Sequence, residues 1–71
     1  NAASINVISD GVLIDTIYNE WLEQEIEIYE ETLDTSEKKY NAVIATDNSC
    51  YLVTAVISIE DYKEIIKNLH F

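Results

Sequence analysis

The chain contains no proline, methionine or arginine, and among its 71 residues there is one glycine, one cysteine and one histidine. A single cysteine excludes an internal disulfide. A single histidine, His70, excludes a zinc site built from several Cys and His ligands. Gly11 alone cannot form a glycine-rich loop for nucleotide phosphates. As a nucleophile Cys50 would have only His70 as a base, so we expect a small apolar role for Cys50, and no catalytic residues, metal or cofactor.

Basic residues are also scarce. Four lysines face 14 acidic residues, which gives a net charge of −10, and no basic residue precedes Lys38. Such a surface repels nucleic acid and anionic membranes, and no apolar run approaches the roughly 20 residues of a membrane helix. We therefore expect a basic protein as the partner, rather than nucleic acid or a membrane. Solubility alone would also explain the charge.

The length allows one domain. The opening Asn1-Ala2-Ala3 resembles the remnant of a cleaved tag, which leaves residues 4–71 as the predicted domain. Because methionine is absent, we expect the natural protein to begin upstream, with a signal peptide or another domain removed. A cytoplasmic location is favoured, with export or membership of a larger protein left open.

The segment from Val12 to Leu33 predicts a long amphipathic helix. At about 100° per residue its apolar side chains gather on one side. They are Ile14, Ile17, Tyr18, Trp21, Leu22, Ile26, Ile28, Tyr29 and Leu33. The other side carries an acidic row of Glu20, Glu23, Glu27, Glu30, Glu31 and Asp34. Asp15 and Glu25 interrupt the apolar side. The rival interpretation is a strand, because residues 25–28 alternate Glu-Ile-Glu-Ile with a period of two.

The other segments predict short elements. These are a strand over residues 4–9, two strands over Tyr40–Thr46 and Tyr51–Ser58 joined at Asp47-Asn48-Ser49, and a helix over Ile59–Leu69. Ser58 and Asp61 have the spacing of a helix-capping pair. The predicted fold is therefore a small two-layer α+β domain in βαββα order. Both faces of the hairpin are apolar, which favours helices on both faces or a second copy of the chain.

The C-terminal half resembles a known family. Residues 43–48, Val-Ile-Ala-Thr-Asp-Asn, and 52–62, Leu-Val-Thr-Ala-Val-Ile-Ser-Ile-Glu-Asp-Tyr, are similar to the hairpin and following helix of Phd/YefM-type antitoxins. The resemblance covers about Asn41 to Ile66 and implies the same βαββα order. The hairpin turn lacks the family's basic residue and glycine, and the N-terminal region lacks the basic residues that contact DNA. The resemblance therefore implies the fold without DNA binding.

These patterns predict a non-enzymatic acidic binding module of the immunity, antitoxin or inhibitor type. Its acidic row, defined above, would dock a basic partner, because like charges at helical spacing cost stability unless a cationic surface relieves them. The alternative is a structural or assembly domain. It would form a homodimer through its apolar helix face and sheet, with Tyr18, Trp21 and Tyr29 at the contact. Burial of Asp15 and Glu25 would raise their pKa, and a cap or a lysine partner is the simpler role for them.

Overall fold

A computed structural model describes residues 11–70 as a four-stranded antiparallel sheet with one helix packed on one side. The elements are β1 Val12–Asn19, β2 Gln24–Thr32, β3 Lys38–Ala45, β4 Cys50–Ala55 and α1 Ile59–Asn68. The order of strands in the sheet is their order in the chain, β1-β2-β3-β4, so each strand pairs with the next through a short turn. The predicted strand over residues 4–9 and the proposed tag remnant lie outside the described residues.

The long N-terminal helix is a wrong prediction. Residues 12–32 form the β1–β2 hairpin, with Ile17 opposite Ile26 and Tyr18 opposite Glu25. The predicted βαββα order is therefore also wrong, as is the helix-rich, antitoxin-like description that depended on it. The segment is rich in β-branched and aromatic residues, which pack well on a pleated sheet and lose rotamer freedom in a helix.

The C-terminal half has the predicted elements with slightly different bounds. Strands β3 and β4 form a hairpin, and Thr46 N donates to Ser49 O at 2.7 Å across its turn. Helix α1 begins after Ser58, whose Oγ accepts a hydrogen bond from Asp61 N at 3.2 Å. This bond satisfies one of the free N–H groups of the first helical turn.

The core lies between α1 and one face of the sheet. Its buried apolar residues are Ile26, Ile28, Tyr40, Ala42, Ile44, Tyr62 and Ile66. Successive side chains of a strand point to opposite faces, so β2 and β3 each contribute every second residue to this core. Tyr62 Oη donates to Val53 O at 2.6 Å, which ties the helix to β4.

The opposite side of the sheet, which we call the open face, has no helix against it among residues 11–70. The hairpin β3–β4 is apolar on both sides, as the sequence indicated, but the described helix covers only one of them. Val43 is half-buried and Leu52 is 48% exposed on the open face. No described helix is long and apolar enough to cross a membrane.

Candidate functional site on the open face

Strand alternation builds the open face from residues that the sequence does not group together. On β2 the odd positions point away from α1, because Ile26 and Ile28 between them are buried in the core. The register then sets Thr16 of β1 beside Glu27, and Tyr18 beside Glu25. The open face therefore combines carboxylates, hydroxyl groups and apolar side chains from neighbouring strands.

A shallow cavity of about 290 Å³ lies on this face. Its lining residues are Thr16, Glu25, Glu27, Tyr29 and Val43, which come from β1, β2 and β3. Ligand pockets in proteins usually measure roughly 300–1,000 Å³. The cavity lies just below that range, a size suited to one or two side chains of a partner.

Tyr29 and Glu27 are linked inside the cavity. Tyr29 Oη donates to Glu27 Oε1 at 3.0 Å. This hydrogen bond, with a smaller contribution from burial, raises the pKa of the Tyr29 hydroxyl above its usual value. The bond orients one oxygen of the Glu27 carboxylate and leaves the other free to accept a hydrogen bond from a ligand.

Lysines neutralise other carboxylates of the sheet but not these two. Lys38 Nζ lies 3.8 Å from Glu30 Oε1, and Lys39 Nζ lies 3.6 Å from Glu31 Oε1. Among the residues that the structure describes, the ion pairs do not involve Glu25 or Glu27. The cavity therefore carries uncompensated negative charge.

The predicted acidic row does not exist as a surface. Without the helix, its six members are separated. Glu20 and Glu23 lie in the β1–β2 turn, Glu27 and Glu31 on the open face, Glu30 on the helix side of β2 and Asp34 in the β2–β3 turn. Two of them, Glu30 and Glu31, contact lysines. In the structure Glu27 instead lines the same cavity as Glu25. The predicted helix had placed Glu25 on its apolar side, opposite the acidic row.

The three aromatic residues predicted for self-association are also separated. Tyr18 and Tyr29 lie on the open face, whereas Trp21 lies in the β1–β2 turn and is 65% exposed. The Trp21 ring packs against His70, with 4.8 Å between ring centroids. The predicted N-terminal helix cannot provide this contact, because residues 12–32 form no helix. Self-association itself stays a prediction.

The polar residues that interrupted the helical pattern have different surroundings. Asp15 Oδ2 accepts a hydrogen bond from Lys63 Nζ at 2.7 Å, and this bond lowers the pKa of Asp15. Glu25 is exposed in the cavity wall.

Cys50 is exposed at the start of β4. Within residues 11–70, no three His, Cys, Asp or Glu side chains are grouped to hold a metal ion.

Comparison of the chain with protein-family models, with curated proteins and with solved structures gives no match. The resemblance to Phd/YefM-type antitoxins stays a prediction, and the fold order it implied is wrong.

Thr16 and Val43 were missed as site residues by the sequence reasoning. Both lie in the cavity wall, opposite or near β2 residues. The available signal was the Glu-Ile-Glu-Ile alternation of residues 25–28, which indicates two glutamates on one face of a strand. That signal does not specify pairing, so it could not identify β1 and β3 as the neighbours of β2.

Proposed function

We propose that the protein is a non-enzymatic binding module that takes up a basic segment of a partner protein on its open face. The observation that carries the proposal is the cavity, in which Glu25 and Glu27 have no lysine partner among the described residues. Charge complementarity of this kind raises association rates and selects partners of opposite charge.

The spacing of the two glutamates suggests the form of the ligand. Residues two apart on a strand lie about 6.6 Å apart. An extended segment with lysines at every second position presents its ammonium groups at the same spacing. The apolar part of the open face, where Leu13, Tyr18 and Leu52 are about half exposed, would contact the aliphatic stems of these lysines.

The net charge of −10 supports the same type of partner. Opposite charge on the partner steers its approach, and the attraction weakens as salt screens it. The charge alone would attract any cationic molecule, however. Specific recognition therefore needs the position of Glu25 and Glu27, and the experiment has to separate position from total charge.

A fluorescein-labelled peptide of alternating lysine and valine serves as the probe, with binding followed by fluorescence polarisation. Binding should weaken steeply from low to high salt. The double substitution Glu25→Gln/Glu27→Gln should weaken binding much more than Glu20→Gln/Glu23→Gln, which removes the same charge from the β1–β2 turn. Both variants keep side-chain size, so circular dichroism should show the same fold for each.

Equal weakening by the two variants would contradict the proposal, since it would show attraction to total charge only. Binding that is insensitive to salt would contradict it as well. An acidic peptide of alternating glutamate and valine is the negative control for apolar adsorption.

A further inference from the structure

The two edges of the sheet differ in how they are protected. Exposed edge strands can pair with other chains, and proteins usually prevent this with charges, prolines or β-bulges. The β1 edge has a register shift between Leu13 and Asp15, and Lys63 of the helix contacts Asp15 there. The β4 edge, Cys50–Ala55, is regular and has no charge or proline. Within the described part of the chain, β4 is thus an unprotected edge.

The backbone of β4 presents alternate residues to this edge. Hydrogen-bonded and non-hydrogen-bonded pairs alternate along an antiparallel ladder. The bond from Thr46 N to Ser49 O marks a hydrogen-bonded position, and the ladder continues from it with Ala45 opposite Cys50. The non-hydrogen-bonded positions on β4 are therefore Cys50, Leu52 and Thr54. Their N–H and C=O groups point away from β3, towards the free edge.

The absence of charged residues along β4 indicates which kind of partner strand this edge can pair with. Residues 48–59 form the longest uncharged run of the sequence, in a chain with 14 acidic residues. Two molecules that each carry a net charge of −10 repel at most contacts. At β4 they can approach without opposing carboxylates. The lysines of a basic partner gain no ion pair at this edge, because β4 offers no carboxylate.

We propose that β4 pairs in antiparallel orientation with β4 of a second copy of the chain, so that one continuous sheet runs through both molecules. This inference is independent of the proposed basic partner, because the open face stays accessible in the pair. Val56 and Ile57, directly after β4, are exposed and uncharged, so they add no charge at the end of this edge.

The two-fold axis of the proposed pair passes between Leu52 of one molecule and Leu52 of the other. In this register Leu52 faces Leu52 of the second copy and Cys50 faces Thr54 of the second copy. It is the register that pairs every outward backbone group of β4, because a shift in either direction leaves one end of the strand without an opposing β4 residue. Opposed residues at hydrogen-bonded positions lie about 5.5 Å apart between Cα atoms.

Sedimentation velocity from micromolar to millimolar concentration tests the pairing. We expect the mass to rise from 8.1 kDa towards twice that value, and to do so at lower concentration in high salt, because salt screens the repulsion. Leu52→Lys should abolish the rise. The matched control is Ile65→Lys, since Ile65 on the helix is 45% exposed and Leu52 is 48% exposed. This control should dimerise like the unmodified chain.

Amide hydrogen exchange by NMR distinguishes edge pairing from other contacts. The N–H groups of Leu52 and Thr54 should become protected as concentration rises, while that of Val53, bonded within the sheet, should change little. Thr54→Pro removes one outward donor and leaves the ladder with β3 intact, so it should prevent dimerisation without unfolding. Its circular dichroism shows whether it is folded.

Cross-linking tests the register. Thr54→Cys should oxidise to a covalent dimer with the native Cys50, whose expected Cα separation lies in the disulfide range of about 4.4–6.8 Å. Thr54→Cys in a Cys50→Ser background should cross-link poorly. A chain that stays monomeric at all concentrations would overturn the proposal, as would a dimer with unprotected Leu52 and Thr54 amides. Because salt strengthens this pairing and weakens binding of the basic probe, failure of one is separable from failure of the other.

Discussion

The side chain of Asn19 donates through Nδ2 to the backbone oxygen of Ile66 at 2.7 Å, although the two residues are 47 positions apart. The same Nδ2 donates to Leu69 O at 2.7 Å, and Asn19 Oδ1 accepts from Leu22 N at 2.9 Å. Asn19 is fully buried at the end of β1. One amide thus satisfies carbonyl groups at the C-terminal end of α1 and holds the helix against the β1–β2 turn.

Substitution of Asn19 should therefore destabilise the whole domain. Asn19→Ala removes these hydrogen bonds and should lower the free energy of unfolding by about 2–4 kcal/mol. Asn19→Asp should cost more at neutral pH, because a carboxylate would face two carbonyl oxygens. Urea unfolding followed by circular dichroism measures both.

Asn68 provides the control, since its Nδ2 also donates to a backbone oxygen, Glu64 O at 2.8 Å, but at an exposed position. Asn68→Ala should change stability by no more than about 0.5 kcal/mol. A similar effect of the two alanine variants would show that the buried position of Asn19 is unimportant.

Tyr62 should make stability depend on alkaline pH. Burial raises the pKa of its hydroxyl to about 12, and this hydroxyl donates to Val53 O. At neutral pH Tyr62→Phe should cost about 1–2 kcal/mol, because the bond is lost and Val53 O is left without it.

The difference in unfolding free energy between the unmodified chain and Tyr62→Phe should shrink above pH 10. The tyrosine ionises in the unfolded chain near its usual pKa of 10.0 but stays neutral in the folded chain until about pH 12. The advantage of tyrosine is therefore complete below pH 10 and is lost as pH rises towards 12. The phenylalanine variant retains Tyr29 and Tyr40, so their ionisation affects both proteins alike. A stability difference that stays constant up to pH 12 would contradict the raised pKa of Tyr62.

Local signals in the sequence were sufficient for the C-terminal half. The turn at Asp47-Asn48-Ser49 and the Ser58–Asp61 capping pair act within a few residues, and both lie where predicted. The prediction for the N-terminal half was wrong for two local reasons. The bulge between Leu13 and Asp15 breaks the period of two in β1. Trp21 and Leu22 belong to the β1–β2 turn. Because both are apolar, they completed the apolar side of the helix that the sequence predicted.

The candidate site was predictable only in part. Glu25 and Glu27 share a strand face because of a simple alternation, so their proximity follows from sequence once β2 is recognised. The presence of Thr16 and Val43 beside them depends on strand register, which is set by packing between residues distant in the chain. The partner of Asp15, Lys63, also comes from such packing.

The Asp15–Lys63 pair should contribute stability over a defined pH window. The hydrogen bond from Lys63 lowers the pKa of Asp15 below 3.8, and the same bond raises the pKa of Lys63 above 10.5. The contribution of Asp15 is thus present above pH 4 or so and is lost as pH falls through its lowered pKa. The contribution of Lys63 persists until pH rises through its raised pKa.

Asp15→Asn should accordingly be less stable than the unmodified chain at neutral pH and equally stable in strong acid. Thermal unfolding across the acid range measures this convergence. In a Lys63→Gln background the asparagine substitution should have almost no effect at any pH, because the partner is gone. A cost that survives in that background would assign the role of Asp15 to its hydrogen bond from Thr16 N instead.

Glu23 has a left-handed backbone conformation, with φ of 56°, in the β1–β2 turn. This region is unfavourable for residues with a Cβ atom and is freely accessible to glycine. Glu23→Gly should therefore stabilise the domain by about 0.5–1 kcal/mol, since relief of the backbone strain exceeds the greater entropy of glycine in the unfolded chain. Urea unfolding measures the gain.

Glu20→Gly in the same turn is the matched comparison, because it removes the same charge from a residue without a positive φ. It should destabilise the domain by about 0.5–1 kcal/mol, since only the entropic cost of glycine applies there. Both variants remove one negative charge from the same turn, so opposite signs would isolate the backbone effect. Equal stabilisation by both substitutions would instead identify charge repulsion within the acidic turn as the cause.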